Sequence, residues 1–216
     1  MPKNLKIVLV SLWVIVGLTV GGVTAGVWWY RQRQPVAAIN LGMSPDSWDP
    51  HHLEPMFDAP DFTLTDQDGK PFGSKQLRGK IWVADFVFTT CTGLCPVMTE
   101  QMHEFQKLTS ESGIQMVSFS VDPEHDTPAA LTQYARMNNA DLSRWHFLTG
   151  DKEMLWNISN SMKLAVGKGD GSHQVMHSSH FLLVDGDGHV RGVYDYKNSG
   201  YLKQLVADAN SLTTVK

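Results

Sequence analysis

The sequence predicts an α/β layer fold, and three observations carry that reading. A nearly continuous apolar run at 81–88 is typical of a strand buried on both faces, and 114–121 reads as another buried strand. Between them, Val97, Met98, Met102, Phe105 and Leu108 form an apolar stripe at helical spacing. Asp-Gly turns at 66–69 and 185–188 mark a hairpin on either side of this unit.

The elements follow in order. Phe62, Thr63 and Leu64 alternate and lead into the Asp66-Gln67-Asp68-Gly69 turn, which predicts an opening β-hairpin. The 81–88 strand runs into a loop and then a helix, for which Pro96 suits the first helical position. After the 114–121 strand, Thr127 and Pro128 read as N-cap and first residue of a helix bearing Leu131, Tyr134 and Ala135. A short strand at 145–148 precedes a helix capped by Asp151 and running to about Met162, then a glycine-rich loop at 165–176. A strand at 181–184 turns back through Asp185-Gly186-Asp187-Gly188 into its partner at 190–194. Ser199 is positioned to cap a last helix, on which Leu202, Leu205, Val206 and Ala209 share a face. A βαβ unit followed by a hairpin and a final helix predicts a thioredoxin-like three-layer arrangement, with an N-terminal β-hairpin and insertions.

A different kind of segment precedes this domain. Residues 7–30 contain no charged side chain. As a helix they would span about 36 Å, enough to cross a bilayer as a single transmembrane helix. Trp28, Trp29 and Tyr30 form an aromatic belt at its end, followed by Arg31 and Arg33. A cleaved signal with Val23-Thr24-Ala25 as its cleavage site is the competing reading, but the apolar run continues past it. No cysteine follows the run to carry a lipid. The expected organisation is a cytoplasmic tail at 1–6, an anchor at 7–30, a proline-marked linker at 31–58 and the folded domain at 59–216. Lys3 and Lys6 nearly balance Arg31 and Arg33. Orientation therefore rests on the usual outcome for a short tail and a long domain: a bacterial inner membrane, with the soluble domain on the periplasmic side. With 18 basic against 22 acidic residues and a net charge of −4, the chain has no basic footprint for nucleic acid.

The chain has two cysteines, and both lie in the loop after the 81–88 strand, as Cys91-Thr92-Gly93-Leu94-Cys95. A disulfide, a nucleophile with its resolving partner, and half of a soft-metal site all remain open for them. The start of a helix favours thiolate over thiol, which argues for chemistry at both. Three intervening residues allow a wider bite than two would, which suits two sulfurs around one ion. Such a site needs a third ligand, and nine histidines are available. His51 and His52 fall in the linker, and His103, His125, His146 and His189 read as structural or solvated. The informative cluster is at 172–181, where His173, His177 and His180 precede the 181–184 strand. In a thioredoxin arrangement this loop faces the cysteine loop. His177 projects from the loop, His180 obeys strand alternation, and His173 sits farther back.

These motifs resemble the Sco/SenC family of membrane-anchored, thioredoxin-like copper proteins. The likeness runs over 59–212. Its specific parts are Phe88-Thr89-Thr90-Cys91-Thr92-Gly93-Leu94-Cys95-Pro96, Ser120-Val121-Asp122-Pro123-Glu124-His125-Asp126-Thr127, and a histidine before a Phe-Leu-Leu-Val-Asp strand and its Asp-Gly turn. The resemblance implies one copper ion, Cu(I) or Cu(II), held by Cys91, Cys95 and His177. It also implies a role in assembling the binuclear copper site of cytochrome c oxidase, with its copper-accepting subunit as partner and a copper donor or thiol reductant upstream. Two departures stand out: Met176 occupies a position where family members commonly carry an acid, and Thr92-Gly93 replaces a common Pro-acid pair. Met176 could add a thioether, and His180 and His173 compete with His177 as ligands. Asp122-Pro123-Glu124 reads as a structural loop and helix start. A metal-transfer protein is thus weighed against a thiol–disulfide oxidoreductase using Cys91 and Cys95. A redox or copper sensor would read the same pair.

Overall fold

A computed structural model of the chain describes residues 53–163 and 178–214. The expected tail, the anchor at 7–30, most of the linker, His173, Met176 and His177 lie outside the described residues. Among the described residues, no helix is long and apolar enough to cross a membrane.

The strands are β1 (Phe57–Asp58), β2 (Thr63–Asp66), β3 (Pro71–Gly73), β4 (Trp82–Val87), β5 (Gln115–Ser120), β6 (Trp145–Thr149), β7 (His180–Val184) and β8 (His189–Asp195). The helices are α1 (Ser74–Leu77), α2 (Leu94–Leu108), α3 (Pro128–Met137), α4 (Lys152–Ser161) and α5 (Tyr201–Thr214). Among the described residues, these eight strands form one sheet in the order β1-β8-β7-β4-β5-β6-β2-β3. Strands β4, β5 and β6 pair in parallel, whereas β7 runs antiparallel to β4 and β8 antiparallel to β7. This is the expected thioredoxin-like arrangement, opened by the β2–β3 hairpin.

Every residue of β4 and β5 is buried, polar Asp85, Gln115, Ser118 and Ser120 included, as in strands covered on both faces. Trp82, Ala84 and Phe86 of β4, with Val117 and Phe119 of β5, pack on one side against Phe62, Leu64, Phe72, Leu155, Ile158 and Met162. Val83 and Met116 face the other side. There they meet Met98, Met102 and Phe105 of α2, Leu131 and Ala135 of α3, and Leu205 and Ala209 of α5. The three α2 residues stand at i, i+4 and i+7, so one stripe of the helix supplies the contact.

Four differences from the sequence reading have local causes. Phe57–Asp58, expected to be linker, joins the sheet by pairing with Val190 and His189. The four-residue α1 is too short to show a period. Helix α2 starts at Leu94 rather than Pro96, with Gly93 as N-cap. Proline still fits, because the N–H groups of a first turn have no partner within the helix. Helix α5 starts at Tyr201, beyond Ser199, after Gly200 turns the chain with φ of 84°.

Candidate functional site

The cysteine loop leaves the carboxyl end of β4. On one side of β4 lies parallel β5 and on the other antiparallel β7, so the loop sits where the direction of the connections changes. Crevices at such positions, outside the carboxyl ends of parallel strands, are where open α/β sheets bind ligands. Strand β7 is aligned with Ala84 opposite Leu182 and Val83 opposite Leu183. The paired positions end there, but because β7 runs antiparallel to β4, its first residues, His180 and Phe181, lie toward the carboxyl end of β4. The chain therefore re-enters the described structure beside the same end of β4 that carries the thiols.

Cys91 is half-buried in the loop, and Cys95 occupies the first turn of α2 with only 2% of its surface exposed. The two are joined locally: the Cys95 backbone N–H donates to Cys91 Sγ at 3.4 Å. The Cys91 N–H in turn donates to the Phe88 carbonyl at 3.2 Å, closing a tight turn. No disulfide links the two residues. Burial, followed by the hydrogen bond to the Cys91 side chain, holds the Cys95 thiol well above its ordinary range. At Cys95, burial thus opposes the preference for thiolate that a helix start gives.

Below the loop is a group of buried polar side chains that the sequence reading did not single out. Asp85 is fully buried on β4, and Ser118 Oγ donates to its Oδ1 at 2.5 Å. Trp145 Nε1 donates to the same hydroxyl at 2.9 Å, while Asp85 Oδ2 has no hydrogen-bond partner among the described residues. Burial, partly opposed by the Ser118 bond, raises the Asp85 carboxyl to about 7. Its charge acts on the Cys95 thiol and on the Tyr134 phenol. Tyr134 OH and Thr99 Oγ1 share a hydrogen bond of 2.6 Å one helical turn beyond Cys95, and burial raises the phenol above its usual range. The available signal was a lone acid inside an apolar strand.

The histidines divide clearly. His180 shares its strand face with Leu182 and Val184, away from the side on which α2 packs. Its Nε2 lies 3.9 Å from Asp195 Oδ2 and its Nδ1 3.4 Å from Ser179 Oγ; burial lowers its pKa. Among the described residues, the structure does not bring it to the cysteines. His125 binds Asp122 at 2.8 Å on the exposed turn after β5. His146 stacks on Phe72 with ring centroids 4.0 Å apart. His189 sits between Asp58 and Asp185. His103 rides on α2.

A fold with a thiol pair at this position invites comparison with known proteins. The family model described as SCO1/SenC matches residues 52–213. The chain belongs to the SCO1/SenC family. It is 37% identical over 164 residues to a SCO1 protein homolog of Bacillus subtilis (strain 168), covering 74% of this chain and 85% of that one. The solved structure of BsSco, described with a disulfide switch and as a member of the Sco family of cytochrome c oxidase assembly proteins, aligns with a TM-score of 0.66 at 36% identity. It covers 76% of this chain and 98% of its own. Bradyrhizobium japonicum ScoI, solved with copper bound, aligns with a TM-score of 0.60 at 27% identity over 72% of this chain and 99% of its own. Family membership and the thioredoxin-like fold of the domain stand as expected.

Proposed function

We propose that this chain is a copper metallochaperone for the binuclear copper site of cytochrome c oxidase, binding one copper ion through Cys91, Cys95 and His177. The observation that carries the reading is the pairing of the two cysteines at the start of α2, with the Cys95 backbone N–H donating to Cys91 Sγ. Soft thiolates beside an imidazole suit copper in either oxidation state. The oxidase-assembly description and the bound copper of the relatives point the same way. Strand β7 runs antiparallel to β4, so its start lies toward the end of β4 that leads into the cysteine loop, and His180 on that strand lies beside Asp195; both support His177, which precedes the strand, as third ligand. Copper would be cargo: a site of three ligands leaves one side open for exchange with an acceptor. Loading would release the Cys95 proton, and the metal would offset the cost of a buried thiolate. An anchor at 7–30 would hold the domain on the periplasmic side of a bacterial inner membrane, within reach of a membrane-bound acceptor.

The test is copper loading of the reduced protein. Wild type should take up about one copper per chain, as coordination by one such site requires, with sulfur-to-Cu(II) charge-transfer absorption. His177→Ala should abolish that absorption, and His180→Ala should leave it. Loss on His180→Ala alone would refute the ligand but not the function. No stoichiometric copper would refute the chaperone.

A second reading is favoured by the asymmetry of the pair, half-buried Cys91 against buried, high-pKa Cys95. As a dithiol reductant, Cys91 thiolate attacks a disulfide of a copper protein and one target thiolate leaves. Cys95, losing its proton, attacks the mixed disulfide and releases the second target sulfur. The chain is oxidised to a disulfide while the target is reduced to two thiols. Disulfide exchange that is intact in His177→Ala, without copper uptake by wild type, would select this reading.

A further inference from the structure

The 120–127 stretch has no role in metal binding or thiol exchange as described above, yet one buried carboxylate ties it to the cysteine loop. Asp126 lies in the turn between β5 and α3 and is completely buried. Its Oδ1 accepts from the Thr89 backbone N–H at 3.0 Å and from Thr89 Oγ1 at 2.6 Å. Its Oδ2 accepts from Ser120 Oγ at 2.6 Å. Ser120 ends β5, and its hydroxyl also accepts the Asp122 N–H at 3.0 Å. A strand end, a turn and the cysteine loop therefore meet on a single side chain. Buried hydrogen bonds to a carboxylate are strong and directional. Two of these three bonds go to one residue, Thr89, two positions before Cys91. Holding both its backbone and its hydroxyl fixes the direction in which the loop departs from β4. That direction in turn sets where Cys91 Sγ lies relative to the Cys95 N–H.

We propose that Asp126 is the positioning residue of the thiol pair: by clamping Thr89 it sets the placement of Cys91 against Cys95, and so how readily the two sulfurs act together. The inference rests on the reading of the pair as functional, but its test needs no copper. The measured quantity is the equilibrium constant for forming the Cys91–Cys95 disulfide in the full chain, purified in detergent, against dithiothreitol. The melting temperature is recorded beside it.

Thr89→Val keeps the side-chain shape and removes only the hydroxyl, leaving Asp126 its other partners. Ser120→Ala removes a hydroxyl from the same carboxylate on the strand side. Thr89→Val should lower the constant about tenfold, a potential less negative by about 30 mV. Thr89→Ser should restore the wild-type value. Ser120→Ala should lower the melting temperature and leave the constant at the wild-type value, because it does not touch the loop. Equal shifts for Thr89→Val and Ser120→Ala would reduce Asp126 to a fold-stabilising group and overturn the proposal, as would an unchanged constant in Thr89→Val. Should Thr89→Val not fold, Asp126→Glu displaces the carboxylate by one methylene: a shifted constant in a folded protein supports the proposal, and an unshifted one overturns it. If wild type binds no copper while the Thr89 and Ser120 variants still separate, the chaperone reading falls and the positioning role stands.

Discussion

A carboxyl in the middle of a strand buried on both faces must give up part of its charge or part of its burial. Asp85 keeps its burial, and its carboxyl rises to about 7. The native state therefore holds a proton on Asp85 that the unfolded chain, near the ordinary 3.8, has already released. Stability contributed by neutral Asp85 is complete below pH 4 and is lost as pH rises from there to about 7. The loss is on the order of a few kcal/mol at about 1.4 kcal/mol per unit of pH. Asp85→Asn keeps an acceptor for Ser118 and cannot ionise. It should be more stable than wild type at pH 8 and should lack the decline between pH 4 and 7, as read by urea unfolding. Parallel stability curves for the two proteins would contradict this account. Legibility at this scale was uneven. The cysteines and the histidine-bearing 172–181 segment stood out in the sequence because they are rare residue types placed together. The burial of Cys95 did not, because it depends on how α2 is pressed onto the sheet by Met98, Met102 and Phe105.

At the scale of elements, periodicity and capping decided what could be read. The runs that became β4 and β5 and the α2 stripe each repeat a pattern over six or more residues, and each was legible to within a residue or two. Thr127 caps α3 as its sequence context predicts, with Oγ1 accepting the Ala130 N–H at 3.3 Å and Pro128 as first helical residue. Thr127→Ala should cost about 1 kcal/mol of stability by denaturant unfolding. It should leave the disulfide constant of the thiol pair unchanged, since the cap acts on α3 and Asp126 still holds Thr89. A shift of that constant would show that α3 and the loop are less independent than described. The elements that escaped the sequence, β1 and α1, have two and four residues. Both are too short for a period, and β1 is held by partners distant in sequence, Val190 and His189 of β8.

Across the whole molecule, the site depends on sheet order. Because β4 lies between parallel β5 and antiparallel β7, the end of β4, the turn after β5 and the entry to β7 lie at the same end of the sheet. The cysteine loop and the 120–127 turn thereby become neighbours, joined through Thr89 and Asp126. The order of strands and helices allowed this arrangement to be anticipated. The Asp126 clamp was not visible in advance, because only the folded chain shows that the turn and the loop meet. The central claim is that this arrangement builds a site with two sulfurs and one imidazole. X-ray absorption at the copper edge of the copper-loaded full chain tests it most directly. The account predicts two sulfur scatterers and one imidazole nitrogen in wild type, with the imidazole signal lost in His177→Ala and retained in His180→Ala. Fewer than two sulfurs in wild type, or an imidazole signal that survives His177→Ala, would contradict it.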